Sequence, residues 1–175
     1  MINLFPELAT IVTAYPQMIQ RKVLTKEQAL QKIKHYCSYQ ERCHSEVKEK
    51  LYGFGLHRQV VDELLSDLIE NNYLNEERFA CQFAGGKFRM NQWGRNKIVY
   101  ALRQKGVSTY CINKALKEIT PEGYEQTLLK LATAKWSSLK DEQYLTRQAK
   151  AFAYLHQKGY EPDMISAVIK KLKEQ

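Results

Sequence analysis

Leucine and glycine set the longest-range pattern in this chain. A Leu-x-x-x-Gly step closes an amphipathic stretch three times, at Leu51–Gly55, Leu102–Gly106 and Leu155–Gly159, so the glycines recur after 51 and 53 residues. Apolar residues recur with them. Val47, Ile98 and Ala151 stand four positions before each leucine. Val61, Ile112 and Ile165 stand six after each glycine, and Leu65, Leu116 and Ile169 ten after. Matched offsets mean that the same core positions are used three times. The local spacing is helical: Ile112, Ala115, Leu116 and Ile119 lie at i, i+3, i+4 and i+7, and no sustained alternation marks a strand.

The punctuation agrees. Each repeated glycine ends one amphipathic stretch and precedes another, which predicts the left-handed conformation just past a helix. Thr25, Asn75, Ser108 and Thr120 read as N-caps, the last with Pro121 in the first helical position. Three helices fit between successive punctuation marks. The expected fold is therefore all-α: three tandem three-helix repeats forming an elongated, curved array. The units are residues 24–72, 73–119 and 120–175, after an N-terminal extension of residues 1–23. Gly85–Gly86 costs about 2 kcal/mol relative to two alanines inside a helix. The pair is expected to interrupt the helix that begins near Glu76, as a close approach, an end or a kink, and the text from there to Arg95 reads as a loop.

Charge changes the picture more than composition does. Hydrophobic residues make up 44% of the 175, enough for a packed core, and the formal net charge is +8. That balance favours an anionic partner: nucleic acid, a membrane surface or an acidic protein patch. The charge is not spread evenly. From Arg78 to Lys117 there is no Asp or Glu, yet nine Lys and Arg, more than the whole net charge. On the expected helix from Arg95 to Gln104, Ile98, Ala101 and Leu102 form the apolar stripe. Lys97, Tyr100 and Arg103 lie off it with Asn96 and Gln104, while Lys87, Arg89, Phe88 and Trp93 precede it. Such a mixture suits phosphates and exposed bases, although Phe88 and Trp93 read first as packing residues. The candidate contact residues are Arg78, Lys87, Arg89, Arg95, Lys97, Arg103 and Lys105.

Other chemistry is not indicated. No Ser-His-Asp set, H-E-x-x-H or phosphate loop is visible, so an enzyme is not expected. His35, Cys37, Cys43 and His44 do not converge from one helix, and neither a metal nor another cofactor is expected. Charges interrupt every apolar run, so no transmembrane span or membrane partner is expected. The N-terminus lacks a basic leader region, and the cysteines show no C-x-x-C pairing, so the chain reads as cytoplasmic.

Four segments carry a resemblance: "ERCHSEVKEKLYGFGL", "LIENNYLNEERFACQF", "GRNKIVYALRQKGVS" and "YLHQKGYEPDMISAVI". Together they resemble the RecX family of bacterial recombination regulators. The family's Ser-x-x-Glu-like text before its first Leu-x-x-x-Gly maps onto Ser45 to Gly55. Its Leu-Asp/Asn-Asp/Glu-x-Arg-Phe-Ala segment maps onto Leu74 to Ala80, and its Gly-x-x-x-Ile-x-x-x-Leu-x-x-Lys-Gly text onto Gly94 to Gly106. The resemblance spans roughly residues 24–171. It implies three tandem three-helix repeats and a non-enzymatic regulator. Such a protein binds the RecA recombinase, lies in the groove of its filament on DNA, and modulates its ATPase and strand exchange, usually by inhibition. It also implies DNA contact, single-stranded or duplex, weak and not sequence-specific; a monomer is expected. Cys43-His44 departs from the family, which often has basic residues there, so no basic contact is carried onto the first unit. The runner-up is a stand-alone helical DNA-binding module of helix-turn-helix type, and a third class is a solenoid protein–protein adaptor.

Overall fold

Three glycines hold positive φ, Gly55 at 81°, Gly106 at 75° and Gly159 at 95°, and each follows a helix. They sit in a computed structural model that describes residues 23–174. All of the N-terminal extension but Val23, and with it the reading of the N-terminus, lies outside the described residues. Among the described residues there are nine helices and no strand. They are α1 (Lys26–Tyr39), α2 (His44–Gly53), α3 (Arg58–Glu70), α4 (Glu76–Asn91), α5 (Arg95–Gln104), α6 (Thr109–Leu116), α7 (Pro121–Ser138), α8 (Tyr144–Lys158) and α9 (Pro162–Lys173). They pack as triplets, α1–α3, α4–α6 and α7–α9. The fold is an all-α helical repeat.

Local chemistry explains the helix starts. Thr25 makes a capping box with Gln28, and Asn75, Ser108 and Thr120 each accept a backbone N–H from three residues on. These caps satisfy donors that no helical carbonyl reaches. Two helix ends differ from expectation. α4 runs unbroken through Gly85–Gly86, where an interruption and a loop were expected. Gly85 is buried, and a Cβ there would lie 2.7 Å from the Arg89 guanidinium, so this glycine makes room for an arginine folded back by one turn. The helix ends instead at Gln92, which takes φ 55° without being glycine. α6 stops at Leu116, earlier than the apolar spacing suggests, and Ile119 is buried from the turn that follows.

The recurring apolar positions are the core. Leu51, Leu102 and Leu155 are inaccessible, as are Val47 and Ile98, with Ala151 1% exposed. Each buried leucine contributes roughly 1.5–3 kcal/mol by removal from water. The core has two parts. Ala29, Ile33, Val47, Leu51, Val61, Leu64, Leu68 and Leu74 close the first triplet. The second and third triplets share one continuous cluster, joined from the first only by Cys43.

The middle helices α2, α5 and α8 meet end to end. In each triplet the carbonyl just before the repeated glycine receives a donor. Phe54 O accepts from Leu24 N at 3.1 Å and Lys158 O from Gly94 N at 2.8 Å. Lys105 O accepts from Ser45 Oγ at 3.0 Å. The start of α2 thus caps the end of α5, and the start of α5 caps the end of α8, a favourable alignment of helix dipoles.

Candidate functional site

The seven candidate cations fall into two groups. The first is engaged at the joints between triplets. Arg78 on α4 donates to both oxygens of Glu41, at 2.7 and 3.3 Å, and to Asn72. Lys105 bonds Glu46 at 2.5 Å; that bond raises the lysine pKa against the opposing effect of burial. Arg95 lies 4.0 Å from the centre of the Tyr124 ring, with Glu161 at 3.9 Å. Tyr124 is fully buried; its hydroxyl accepts from Arg95 N at 3.0 Å and donates to Glu161 at 2.6 Å. Burial, then the Glu161 carboxylate, push its pKa up. Arg95 therefore opens α5 and belongs to the packing between that helix and the third triplet, where the sequence placed it at the end of a loop that offers its charge to a partner.

The second group is Lys87, Arg89, Lys97 and Arg103, for which no carboxylate lies within ion-pair distance among the described residues. Lys87 and Lys97 flank Trp93, 5.0 and 4.9 Å from its ring, and Lys97 donates to Gln157 O at 3.1 Å. Arg103 is exposed on the outer face of α5 beside Asn96, Tyr100 and Gln104, with Tyr100 66% exposed. Phe88 and Trp93 are half-buried against the core, so they are packing residues.

This arrangement gives the acid-free stretch a cause that the sequence did not reveal. Its cations meet carboxylates from outside it: Glu41, Glu46, Glu77 and Glu161 serve Arg78, Lys105, Lys114 and Arg95. The sequence reading also missed Lys158 and Lys135. Both flank Tyr154, 5.9 and 5.5 Å from its ring, and Lys158 donates to Asn91 O at 3.1 Å. A signal existed, since Gln157-Lys158-Gly159 repeats Gln104-Lys105-Gly106.

No group of three His, Cys, Asp or Glu side chains that could hold a metal occurs among the described residues. Cys37 is buried, which pushes its thiol up to about 11, and Cys43 contacts Ser45 Oγ at 3.1 Å. No described helix is long and apolar enough to cross a membrane. What the arrangement offers is a cationic, hydrogen-bonding surface on a rigid helical frame.

Known proteins share this architecture. The family model described as the second three-helix domain of RecX matches residues 75–116, and that of the third three-helix domain matches residues 122–169, together more than half of the chain. A Regulatory protein RecX from Clostridium perfringens (strain 13 / Type A) is 35% identical over 130 residues, covering 73% of this chain and 60% of its own length. Another, from Bacillus mycoides (strain KBAB4), is 28% identical over 140 residues, 80% of this chain and 52% of that protein. The chain thus spans between half and two thirds of the length of these curated relatives. The crystal structure of RecX from Lactobacillus salivarius superposes with a TM-score of 0.77 at 23% identity, over 86% of this chain and 97% of the other, a likeness of fold. Both curated relatives are named as regulatory proteins. With two of its helix triplets matched in order by consecutive domain models, the chain belongs to the RecX family of regulatory proteins.

Proposed function

We propose that this chain binds the RecA recombinase filament on DNA and modulates its ATPase and strand exchange by inhibition. The observation that carries the proposal is the charge of the middle triplet. Residues 73–119 hold nine Lys and Arg against Glu76, Glu77 and Glu118, a net +6 of the chain's +8. Arg103, Tyr100, Asn96 and Gln104 present part of that excess on the outer face of α5. A tandem array offers an extended surface that can follow a helical filament, and a nucleoprotein supplies the opposite field along its length. DNA contact in this reading is weak and not sequence-specific, because phosphates carry no base information. The chain acts as a monomer.

The stand-alone helix-turn-helix reading fits less well. In such a module the second helix of the pair enters the major groove. Here that helix, α6, has eight residues, and its one cation, Lys114, is paired with Glu77. Cations without a carboxylate partner among the described residues lie on the helices before it, Lys97 and Arg103 on α5 and Lys87 and Arg89 on α4.

The test is RecA-dependent ATP hydrolysis and strand exchange on single-stranded DNA, titrated with the chain. Both should fall as it is added, and the Arg103→Glu/Tyr100→Ala variant should need at least several-fold more protein for the same effect. Unchanged hydrolysis and exchange at saturating chain would refute the reading.

A further inference from the structure

The two joints of the array use the same backbone geometry with different charge. Where α2 meets α5, Glu46 near the start of one helix faces Lys105 at the end of the other, an ion pair. Where α5 meets α8, the repeat puts Lys97 in the place of Glu46 and Lys158 in the place of Lys105. Two lysines then occupy the positions of a salt bridge. Neither has a carboxylate partner among the described residues. Each donates instead to a backbone carbonyl across the joint, Lys97 to Gln157 O and Lys158 to Asn91 O. Lys87 and Lys135 extend the group on either side, Lys87 sharing the Trp93 ring with Lys97 and Lys135 sharing the Tyr154 ring with Lys158.

Like charges at a fixed junction cost free energy that an ion pair would not, so the arrangement is electrostatically incomplete. The joint cannot relieve it by drifting apart. Gly94 N bonds Lys158 O, Asn96 N bonds Gly159 O at 3.1 Å, and a Cβ on Gly94 would lie 2.2 Å from Gly159 O. Carbonyls and aromatic faces orient the ammonium groups while leaving their charge uncompensated. We propose that this joint is an anion site for the phosphodiester backbone of a single-stranded nucleic acid, with Lys97 and Lys158 at its centre and Lys87 and Lys135 flanking them.

The choice of nucleic acid over an acidic protein surface rests on the residue types. The site consists of lysines, point charges on flexible stems that follow a backbone of variable geometry. Lysine is depleted in protein–protein interfaces, whose centres are apolar and low in charge. The inference rests on the proposed function only in supposing that the chain meets DNA, and it adds the third triplet to the contact.

The probe is fluorescein-labelled oligo(dT), with anisotropy read over a salt series, no recombinase present, and folding checked by circular dichroism. Each lysine that neutralises a phosphate contributes about 0.7 to the slope of log affinity against log salt. Lys97→Gln/Lys158→Gln should therefore flatten the slope by about 1.4, so that the parent loses roughly sevenfold more affinity than the variant between about 50 and 200 mM salt. Lys150→Gln, which removes a lysine paired with Glu142 on the same helix as Lys158, should leave the slope unchanged. Lys97→Glu separates site from scaffold. It recreates the charge pattern of the first joint, so it should keep or raise the urea midpoint while weakening oligo(dT) binding more than the glutamine change does. A parent that does not bind oligo(dT) at low salt, or a double variant with the parent's slope, overturns the proposal. Filament binding, measured separately, distinguishes the two readings. If the double variant loses filament binding with its oligo(dT) slope intact, the lysines meet the recombinase and this site falls while the proposed function stands. If the parent binds oligo(dT) with the expected slope and ignores filaments, the site stands and the proposed function falls.

Discussion

A single glycine shows how position decides cost. Gly106 has φ 75° and open space around its Cα, so Gly106→Ala is penalised by backbone conformation alone, roughly 1–2 kcal/mol. Gly94 has an ordinary φ of −74° but faces the Gly159 carbonyl, so Gly94→Ala must push two backbones apart. Urea denaturation should show a loss for both. Only Gly94→Ala should speed amide exchange at Asn96, whose N–H bonds Gly159 O across the joint; equal exchange in the two variants would contradict the distinction. Glu76 makes a pH prediction at the same scale. Partial burial works to raise its carboxyl, but hydrogen bonds donated by Ser108 Oγ at 2.7 Å and Ser108 N at 3.3 Å outweigh it and hold the pKa below the ordinary range. A depressed folded pKa contributes stability above the unfolded value, about 4.3, and that stability is lost as pH falls through the folded value. Stability measured from neutral pH down through the carboxylate range should decline less in Glu76→Gln than in the parent. Matching declines would show that the Ser108 contact has no energetic role.

At the scale of elements, the joints differ in kind. The α5–α8 joint is made of backbone hydrogen bonds, buried glycines and the Tyr124–Tyr160 pair, whose ring centres are 5.0 Å apart inside a continuous core. The α2–α5 joint is made mainly of side chains: Ser45 on Lys105 O, Lys105 on Glu46 and Arg78 on Glu41. Partly exposed ion pairs contribute about 0–1 kcal/mol each and weaken with salt. The first triplet should therefore unfold before the other two. Trp93 and Trp136, the only tryptophans, both lie in the later triplets, so tryptophan fluorescence reports only that body. In urea, far-ultraviolet circular dichroism should lose part of its amplitude before the fluorescence changes, and the gap should widen as salt rises; coincident curves would mean one cooperative unit. The sequence carried the elements well because caps and apolar periods are local: Thr25, Asn75, Ser108 and Thr120 each act within three residues. It did not carry the end of α4, since Gln92 adopts a left-handed conformation without glycine, nor the packing of Arg89 on Gly85.

Across the whole molecule, the excess charge was legible and its disposition was not. Counting residues located the positive field in the middle triplet. It did not show which cations were already neutralised, because Glu41 lies 37 residues from Arg78, and Glu46 lies 59 from Lys105. Pairing of that kind is a property of how triplets dock, and it divides the seven candidates into groups that ought to behave oppositely. Arg78 and Lys105 tie the first triplet to the second and Arg95 ties the second to the third, so their charge is committed to the array. Arg89 and Arg103 are exposed without a carboxylate partner among the described residues, so theirs is available to a partner. Arg78→Gln and Lys105→Gln should lower the urea midpoint, each by an amount equivalent to about 1 kcal/mol or less, since the pairs are partly solvated. They should leave the salt slope of filament binding at the parent's value. Arg103→Gln and Arg89→Gln should do the reverse on binding: an unchanged midpoint for Arg103, and a slope reduced by about 0.7–0.9 for each charge that meets a phosphate. Anisotropy against labelled filaments over a salt series, run beside urea titrations of the same four variants, separates the groups. If Lys105→Gln flattens the slope as much as Arg103→Gln does, the joint opens on binding and its ion pair is exchanged for the partner's phosphates, and the division drawn from the unbound fold does not hold.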